Sequence, residues 1–282
     1  MATLNERERA WLHGILSGLD QGILPEDGLP EEAVMLVGNL AVAALNEDPD
    51  RAYAVASEGQ AIINKNQRSK VVMRAVTDAL EMGVAREHAD CVTLLGTLYF
   101  LGTGLQQDFE RARRLYQKAA DLGSASGTVN LAYLYFYGRG VEVDHVRAFQ
   151  LFTRAATTAD HPEAYWKLGD MFRQGIYVDK DDHTAFTLYQ RAYALTRESV
   201  MRARPAHHMA DYLMSGIPGR LDPDPRAALV LYSEAEISYY DQLDLGFSQY
   251  RQALDQAIAG QAKARKAIAR NRVGRRFRFD NL

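Results

Sequence analysis

Apolar residues recur three and four positions apart through the middle of this chain, and this spacing predicts pairs of amphipathic helices. In each pair, a first helix (A) is followed by a loop and a second helix (B). Helix B carries a fixed pattern: Asp, three residues, Ala, three residues, an aromatic residue, two residues, Ala. Its four copies start at Asp108, Asp144, Asp181 and Asp224. A pattern with a period between about 20 and 50 residues indicates stacked copies of one unit.

The residues of each copy have clear physical roles. Gly102 and Gly104 follow the first helix A, and glycine readily adopts the left-handed conformation that ends a helix. Asp108 can cap the free amide groups at the start of helix B. Ala112 and Ala119 lie on one face of helix B, where small side chains let two helices approach closely. The sequence therefore predicts an all-α fold, a right-handed α/α superhelix (solenoid) of antiparallel helix pairs.

Weaker copies of the unit are predicted before the first clear one. Asp48, Ala52, Ala56 and Gly59 follow the helix B pattern in outline, but no Gly-x-Gly precedes them. Terminal repeats are often atypical because one of their faces meets water. We predict three early helices, near 31–45, 49–63 and 67–82. The predicted organisation is N-terminal helices with degenerate units (1–87), the clear repeats (88–237) and a C-terminal helical extension with a basic tail (238–282).

The motif at residues 95–120 combines Leu-Gly-x-Leu-Tyr, Gly-x-Gly and Asp-x-x-x-Ala-x-x-x-Tyr-x-x-Ala-Ala. It resembles the Sel-one-like repeat, a relative of the tetratricopeptide repeat. The resemblance is strongest over 91–159, good through 195 and weaker through 237. It implies a tetratricopeptide-like fold and a role as a scaffold in signalling or assembly. Some bacterial proteins with such repeats belong to effector or toxin-neutralising systems.

The composition of the chain indicates the cellular compartment in which the protein acts. Cys91 is the only cysteine, so no intramolecular disulfide can form, and a reducing compartment is the simplest interpretation. Residues 1–9 are polar and charged with no apolar segment behind them, which argues against a secretory signal. No apolar stretch approaches the roughly 18 residues of a membrane span. We therefore expect a cytoplasmic protein without a membrane partner.

The net charge of −3 hides an asymmetry along the chain. Residues 256–279 contain no acidic side chain and eight basic ones: Lys263, Arg265, Lys266, Arg270, Arg272, Arg275, Arg276 and Arg278. Such a basic tail with interleaved phenylalanines can grip phosphates and stack on bases, so a nucleic-acid-associated protein is the alternative function. Three other interpretations stay open: a solvated tail, a helix docked on the acidic body, or a handle for an acidic protein.

Candidate chemical sites are sparse. The Gly-x-Gly segments follow a helix and lack the lysine of a phosphate-binding loop, so no nucleotide or other cofactor is expected. His207, His208 and Asp211 share a helix face, and His88, Asp90 and Cys91 form a looser cluster. Neither set has the further ligands of a typical metal site, so we expect no metal. We find no catalytic constellation and predict that the protein is not an enzyme.

Partner recognition is the function that the repeats favour, because they allow slots to be compared between copies. Slots that keep their residue type form the scaffold, and slots on the outward face of helix A vary. In related solenoids the A helices line the concave surface, where aromatic and arginine side chains often dominate binding. We call these residues the groove set: Thr97, Phe100, Tyr133, Phe136, Tyr137, Trp166, Asp170, Arg173, His207 and Asp211. The predicted function is a non-catalytic scaffold or adaptor that binds a partner protein or peptide.

Overall fold

The computed structural model describes residue 14 and residues 30–196, 199–244 and 246–279, with only the backbone for 199–200 and 271–279. This part of the chain forms helices and no β-strand. The helices are α1 (Glu31–Leu45), α2 (Pro49–Glu58), α3 (Gln60–Lys65), α4 (Lys70–Ala85), α5 (Ala89–Leu101), α6 (Phe109–Asp121), α7 (Ala125–Tyr137), α8 (His145–Ala159), α9 (Pro162–Gln174), α10 (Asp182–Leu195), α11 (Ser199–Ser215), α12 (Pro225–Asp244) and α13 (Arg251–Phe279), with a short 3-10 helix at Ser248–Tyr250 before α13. The predicted all-α repeat fold is confirmed.

The helices form two compact units, which divide between Leu151 and Phe152 within α8. In the first unit, α1 packs against α2 and α4, and each helix from α4 to α7 packs against the next. In the second unit, each helix from α9 to α13 packs against the next. None of the described helices is both long and apolar enough to cross a bilayer.

The early helices agree with the prediction in position but differ in detail. The first covers 31–45 as expected, and the third begins at Lys70 and ends at Ala85. The second is interrupted at Gly59, so that α2 and α3 replace one helix over 49–63. A Cβ at Gly59 would lie 2.4 Å from Leu36, so the chain approaches α1 closely at this point.

The helix B aspartates act as predicted caps. The Asp108 side chain accepts a hydrogen bond from the Arg111 amide at 2.8 Å, and Asp48 caps α2 in the same way through Arg51. The aspartates at the start of α8, α10 and α12 also accept hydrogen bonds from amides of the first helical turn. Each carboxylate therefore satisfies donors that would otherwise be free, and meets the positive end of the helix dipole.

The turn that leads into the next helix A also contains a left-handed residue. Glu87 occupies this slot before α5 with a φ of 57°, and Gly123 occupies it before α7 with a φ of 90°. A side chain in this conformation costs roughly 1–2 kcal/mol, whereas glycine adopts it freely. A Cβ at Gly123 would meet nothing within 4 Å, so a side chain at this position would be unfavourable only because of the backbone conformation.

We expect Glu87→Gly to raise the free energy of unfolding by about 1 kcal/mol, and Gly123→Ala to lower it by a similar amount. Glu87 is exposed, so its replacement removes no buried contact. Urea unfolding followed by circular dichroism measures both changes. Shifts of the same sign in the two variants would contradict this account of the turn.

The C-terminal helix α13 covers one face of α12. Leu254, Ala257, Gln261 and Ala264 are buried in this contact. A Cβ at Gly260 would lie 2.5 Å from the Tyr232 ring, so only glycine permits this close approach. The helix predicted beyond the repeats therefore packs as part of the second unit.

Candidate partner-binding surface

In the first unit, the groove set lies towards the C-terminal ends of α5 and α7. The Tyr133 and Tyr137 rings stack with centroids 5.9 Å apart, and Phe136 meets Tyr137 edge-on at 4.9 Å. Tyr137 is 55% exposed, and Leu101, which occupies the same slot in the preceding repeat, is 57% exposed. Phe100, beside Leu101, is half-buried. Neighbouring repeats thus present large apolar side chains at equivalent positions, which suits contact with another molecule.

A second slot of helix A pairs with the aromatic residue of helix B. Where that residue is tyrosine, the helix A slot supplies the hydrogen-bond acceptor. The hydroxyl–acceptor pairs are Tyr116 with Thr97 at 3.1 Å, Tyr189 with Asp170 at 2.7 Å and Tyr232 with Asp211 at 2.7 Å. In the remaining repeat the aromatic residue is Phe152, which has no hydroxyl, and the helix A slot is Tyr133. Three members of the groove set therefore have a structural role inside their own repeat.

Burial fixes the protonation state of these tyrosines. Burial, reinforced by Asp170, raises the pKa of Tyr189, and burial together with the hydrogen bond to Asp211 raises the pKa of Tyr232. Burial also raises the pKa of Tyr116 to about 12. Each hydroxyl is thus a stable donor at neutral pH, and it satisfies an acceptor in the interior.

The second unit gathers several charged residues of the groove set into one network. Arg173 Nη1 lies 3.0 Å from His208 Nδ1 and 3.7 Å from Asp211 Oδ2. His208 Nε2 lies 3.6 Å from Asp170 Oδ1. Asp170 is only 7% exposed, whereas the side chains of Arg173 and Asp211 are 34% and 43% exposed. Arg173 and Asp211 are therefore the members of this network that solvent or a partner can reach.

His207 lies inside the second unit rather than on its surface. It is 5% exposed, and its Nδ1 lies 3.3 Å from the Tyr239 hydroxyl of α12. Burial lowers the pKa of His207 to about 4, although Asp211 acts in the opposite direction. The outward position predicted for His207 is thus not where the structure places it. Partner binding by the groove set itself stays a prediction.

Trp166 packs within a layer of aromatic and cationic side chains. The Arg204 guanidinium lies 4.9 Å from the Trp166 ring centroid and 5.1 Å from that of Tyr250. Such contacts contribute roughly 0.5–2 kcal/mol each, depending on how far they are removed from water. Arg204 of α11 thus covers part of the Trp166 ring and also contacts Tyr250 in the short 3-10 helix before α13.

Two residues of these contacts, His208 and Arg204, do not belong to the groove set that the repeat comparison predicts. His208 follows His207, and its position in the network depends on Asp170, which is far away in sequence. Arg204 lies where the period is interrupted, beside Pro205. The structure shows that α11 begins at Ser199 and continues through Pro205, which makes it longer than the other A helices. The sequence does contain a signal for the tyrosine hydrogen bonds. In three repeats, a helix A residue that can accept a hydrogen bond and the helix B tyrosine occupy the same two slots.

The second histidine cluster is part of the structure of the first unit. His88 caps α5 by accepting a hydrogen bond from the Cys91 amide, and its Nε2 lies 2.9 Å from Asp50. Cys91 is fully buried, and burial raises its pKa to about 12. Among the described residues no three His, Cys, Asp or Glu side chains converge as metal ligands would.

The basic tail begins on the solvent side of α13. Lys263, Arg265, Lys266 and Arg270 are exposed, while the opposite face of the helix contacts α12. The remaining members of the predicted tail, Arg272, Arg275, Arg276 and Arg278, have side chains that lie outside the described residues. The contact with α12 is made by the opposite face of α13, and the role of the basic residues stays a prediction.

Comparison with known proteins places the repeats in a family. The family model described as the Sel1 repeat matches residues 89–124, 125–157, 162–196 and 206–236. A solved Sel1 repeat protein from Oxalobacter formigenes is 21% identical with a TM-score of 0.58, over 93% of this chain and 100% of that chain. The Escherichia coli protein c5321, described as a protective antigen with an SLR fold, is 22% identical with a TM-score of 0.55; the match covers 93% of this chain and 54% of that protein. A search of curated proteins found no match.

Proposed function

Residues 89–236 belong to the Sel1 repeat family, whose members generally act as scaffolds for protein–protein interactions, and on this premise we propose that the protein is a non-catalytic adaptor acting in the cytoplasm. The proposed binding surface is the apolar face of α5 and α7 in the first unit. The observation that carries this choice is the exposure of Leu101 and Tyr137, at 57% and 55%, in the same slot of consecutive repeats. The proposed ligand is a protein or peptide segment with apolar side chains.

The chemistry of the surface supports this choice. Phe100 and Phe136 are half-buried next to the two exposed residues, so they extend the apolar surface and are held in place by their buried parts. A rigid helical surface loses little conformational entropy when it binds, which favours affinity. In the second unit, by contrast, Asp170 and His207 already bond to other residues of the protein. We also propose that the protein acts in a bacterial signalling, effector or toxin-neutralising system. This part of the proposal rests on the family resemblance alone.

The test is capture from nuclease-treated lysate of the source cell, with the full chain as bait. We expect Leu101→Ser with Tyr137→Ser to reduce capture of a discrete protein by roughly tenfold or more, since exposed apolar anchors commonly dominate binding. Val146→Ser is the matched control, because Val146 is an exposed apolar residue of the same unit, at 43%, outside this surface. Equal capture by the double variant and the wild type would contradict the proposed surface.

The alternative function through the basic tail is tested in the same experiment. Lys263, Lys266 and Arg270 are exposed, so replacing all three by glutamine neutralises charge without uncovering the contact with α12. Truncation before α13 is unsuitable because it would expose the face that buries Leu254 and Ala257. If the protein is an adaptor, we expect the triple variant to capture the same amount of partner protein as the wild type at low and high salt. Loss of capture in this variant would move the function to the basic helix.

A further inference from the structure

The outer face of α12 carries apolar side chains where the other repeats do not. Val230 is 57% exposed, Ile237 is 60% exposed and Tyr240 is 48% exposed. The slots of Val230 and Ile237 in the preceding helix B copies hold Arg114 and Asp121, Gln150 and Thr157, and Thr187 and Ala194, all of them exposed. The same positions of one fold are thus polar or small in three repeats and strongly apolar in the fourth. This comparison shows that the fold does not require the apolar residues, and it indicates that another surface covers them.

These residues belong to a regular seam along α12. At intervals of four, three, four, three and four residues, the seam reads Arg226, Val230, Ser233, Ile237, Tyr240 and Asp244. This is the spacing at which helices pack side by side as a coiled coil. Five of the six residues are exposed, and Ser233 is half-buried. The seam runs for about 27 Å at the 1.5 Å rise of an α-helix.

The seam is complementary to itself when it is turned end for end. An antiparallel copy centred at residue 235 places Arg226 opposite Asp244, Val230 opposite Tyr240, and Ser233 opposite Ile237. Opposite charges then meet at both ends, and each pair between them contains at least one large apolar side chain. A two-fold dimer requires such a surface, because each copy must present the same residues to the other.

The carboxylates beside the seam are already engaged within the protein. Glu234 accepts a hydrogen bond from the Tyr193 hydroxyl of α10, and Glu236 accepts one from Gln261 of α13. Both side chains are thus bonded to neighbouring helices of the same unit. These hydrogen bonds leave both carboxylates charged but hold them towards α10 and α13, so neither side chain occupies the seam.

We propose that α12 pairs antiparallel with α12 of a second copy of this chain, along the seam from Arg226 to Asp244. The contact joins one helix from each copy and is small compared with permanent dimer interfaces. We therefore expect a reversible dimer with a dissociation constant on the order of micromolar. This dimer is independent of the binding surface proposed on α5 and α7.

Sedimentation velocity of the full chain from about 1 to 200 µM tests the proposal, over a range set by the expected dissociation constant. Val230→Glu with Ile237→Glu is expected to raise the dissociation constant by roughly tenfold or more, because it forces charges into the apolar seam. Gln150→Glu with Thr157→Glu places the same charges in the equivalent slots of the second repeat and is expected to leave the dimer intact. A monomer at every concentration, or equal effects of the two variants, would overturn the proposal.

Charge reversal tests the orientation of the pair. Arg226→Asp alone and Asp244→Arg alone each bring like charges together, and each is expected to raise the dissociation constant by roughly fivefold. Both changes in one chain restore opposite charges, so this variant is expected to return to within about twofold of the wild type. Failure of the combined variant to recover would overturn the antiparallel arrangement. Circular dichroism of all the variants checks that helix content is unchanged.

Discussion

Replacing Asp170 by alanine is expected to lower the free energy of unfolding by about 3 kcal/mol, because it removes a buried anion and leaves its partners behind. Asp170 is 7% exposed and accepts the Tyr189 hydroxyl bond at 2.7 Å. Without it, this hydroxyl has no acceptor in the interior, and His208 loses a neighbouring carboxylate. Urea unfolding at pH 7, followed by circular dichroism, measures the loss.

Two further variants separate the hydrogen bond from the charge. Asp170→Asn keeps an oxygen acceptor for Tyr189 but removes the charge, so its effect is expected to be smaller than that of alanine. Tyr189→Phe removes the donor, as Phe152 does naturally in the second repeat. The combined Asp170→Ala and Tyr189→Phe variant is expected to be about 1–2 kcal/mol more stable than the sum of the single losses predicts. Strictly additive losses would show that the pair does not stabilise the second unit.

Acidification from pH 7 to pH 5 is expected to cost about 2 kcal/mol of stability through His207 alone. Burial lowers the pKa of His207 to about 4 in the folded protein, whereas the unfolded chain has the ordinary value of about 6.5. Between these values the unfolded state binds more protons than the folded state. Stability from this group is therefore complete above pH 6.5 and declines as the pH falls towards 4. Burial also lowers the pKa of His161, which acts in the same direction.

The measurement compares urea unfolding of three proteins at pH 7 and pH 5. His207→Gln cannot titrate, so its stability is expected to change by about 2 kcal/mol less than that of the wild type over this range. His183→Gln is the matched control, because His183 is exposed and should leave the pH dependence as in the wild type. An unchanged pH dependence in His207→Gln would show that His207 is not the buried group that charges on unfolding.

The repeats were predictable because their structure depends on local chemistry. The caps formed by Asp108 and Asp181, and the left-handed turn at Gly102, lie within a few residues of the groups that they satisfy. One copy deviates: Tyr177 stands where the first two copies have a second glycine, yet it adopts the same left-handed conformation with a φ of 67°. The backbone of the repeat therefore overrides the preference of this residue.

The interior position of His207 could not be predicted from the repeat period. The helix B pattern ends at Ala235, but α12 continues to Asp244, and Tyr239 in this additional part contacts His207. The equivalent slot holds Thr93 in α5 and Val129 in α7, which are also buried, and Trp166 in α9, which is half-buried. A helical pattern shows which residues share a face, but it does not show which neighbouring helix covers that face. The contact between His208 and Asp170 depends on this same tertiary packing.

The close fit of Gly260 against Tyr232 limits how this repeat array can grow. Helix α13 occupies the face of α12 on which a further helix pair would have to stack. Duplication of a unit at the C-terminal end would therefore need to displace a helix that already buries Leu254 and Ala257. Expansion between existing repeats avoids this competition, because each new pair would stack on faces of the same kind. Helix α13 thus blocks the addition of a helix pair directly after α12. Related proteins with more or fewer repeats are expected to differ before α12.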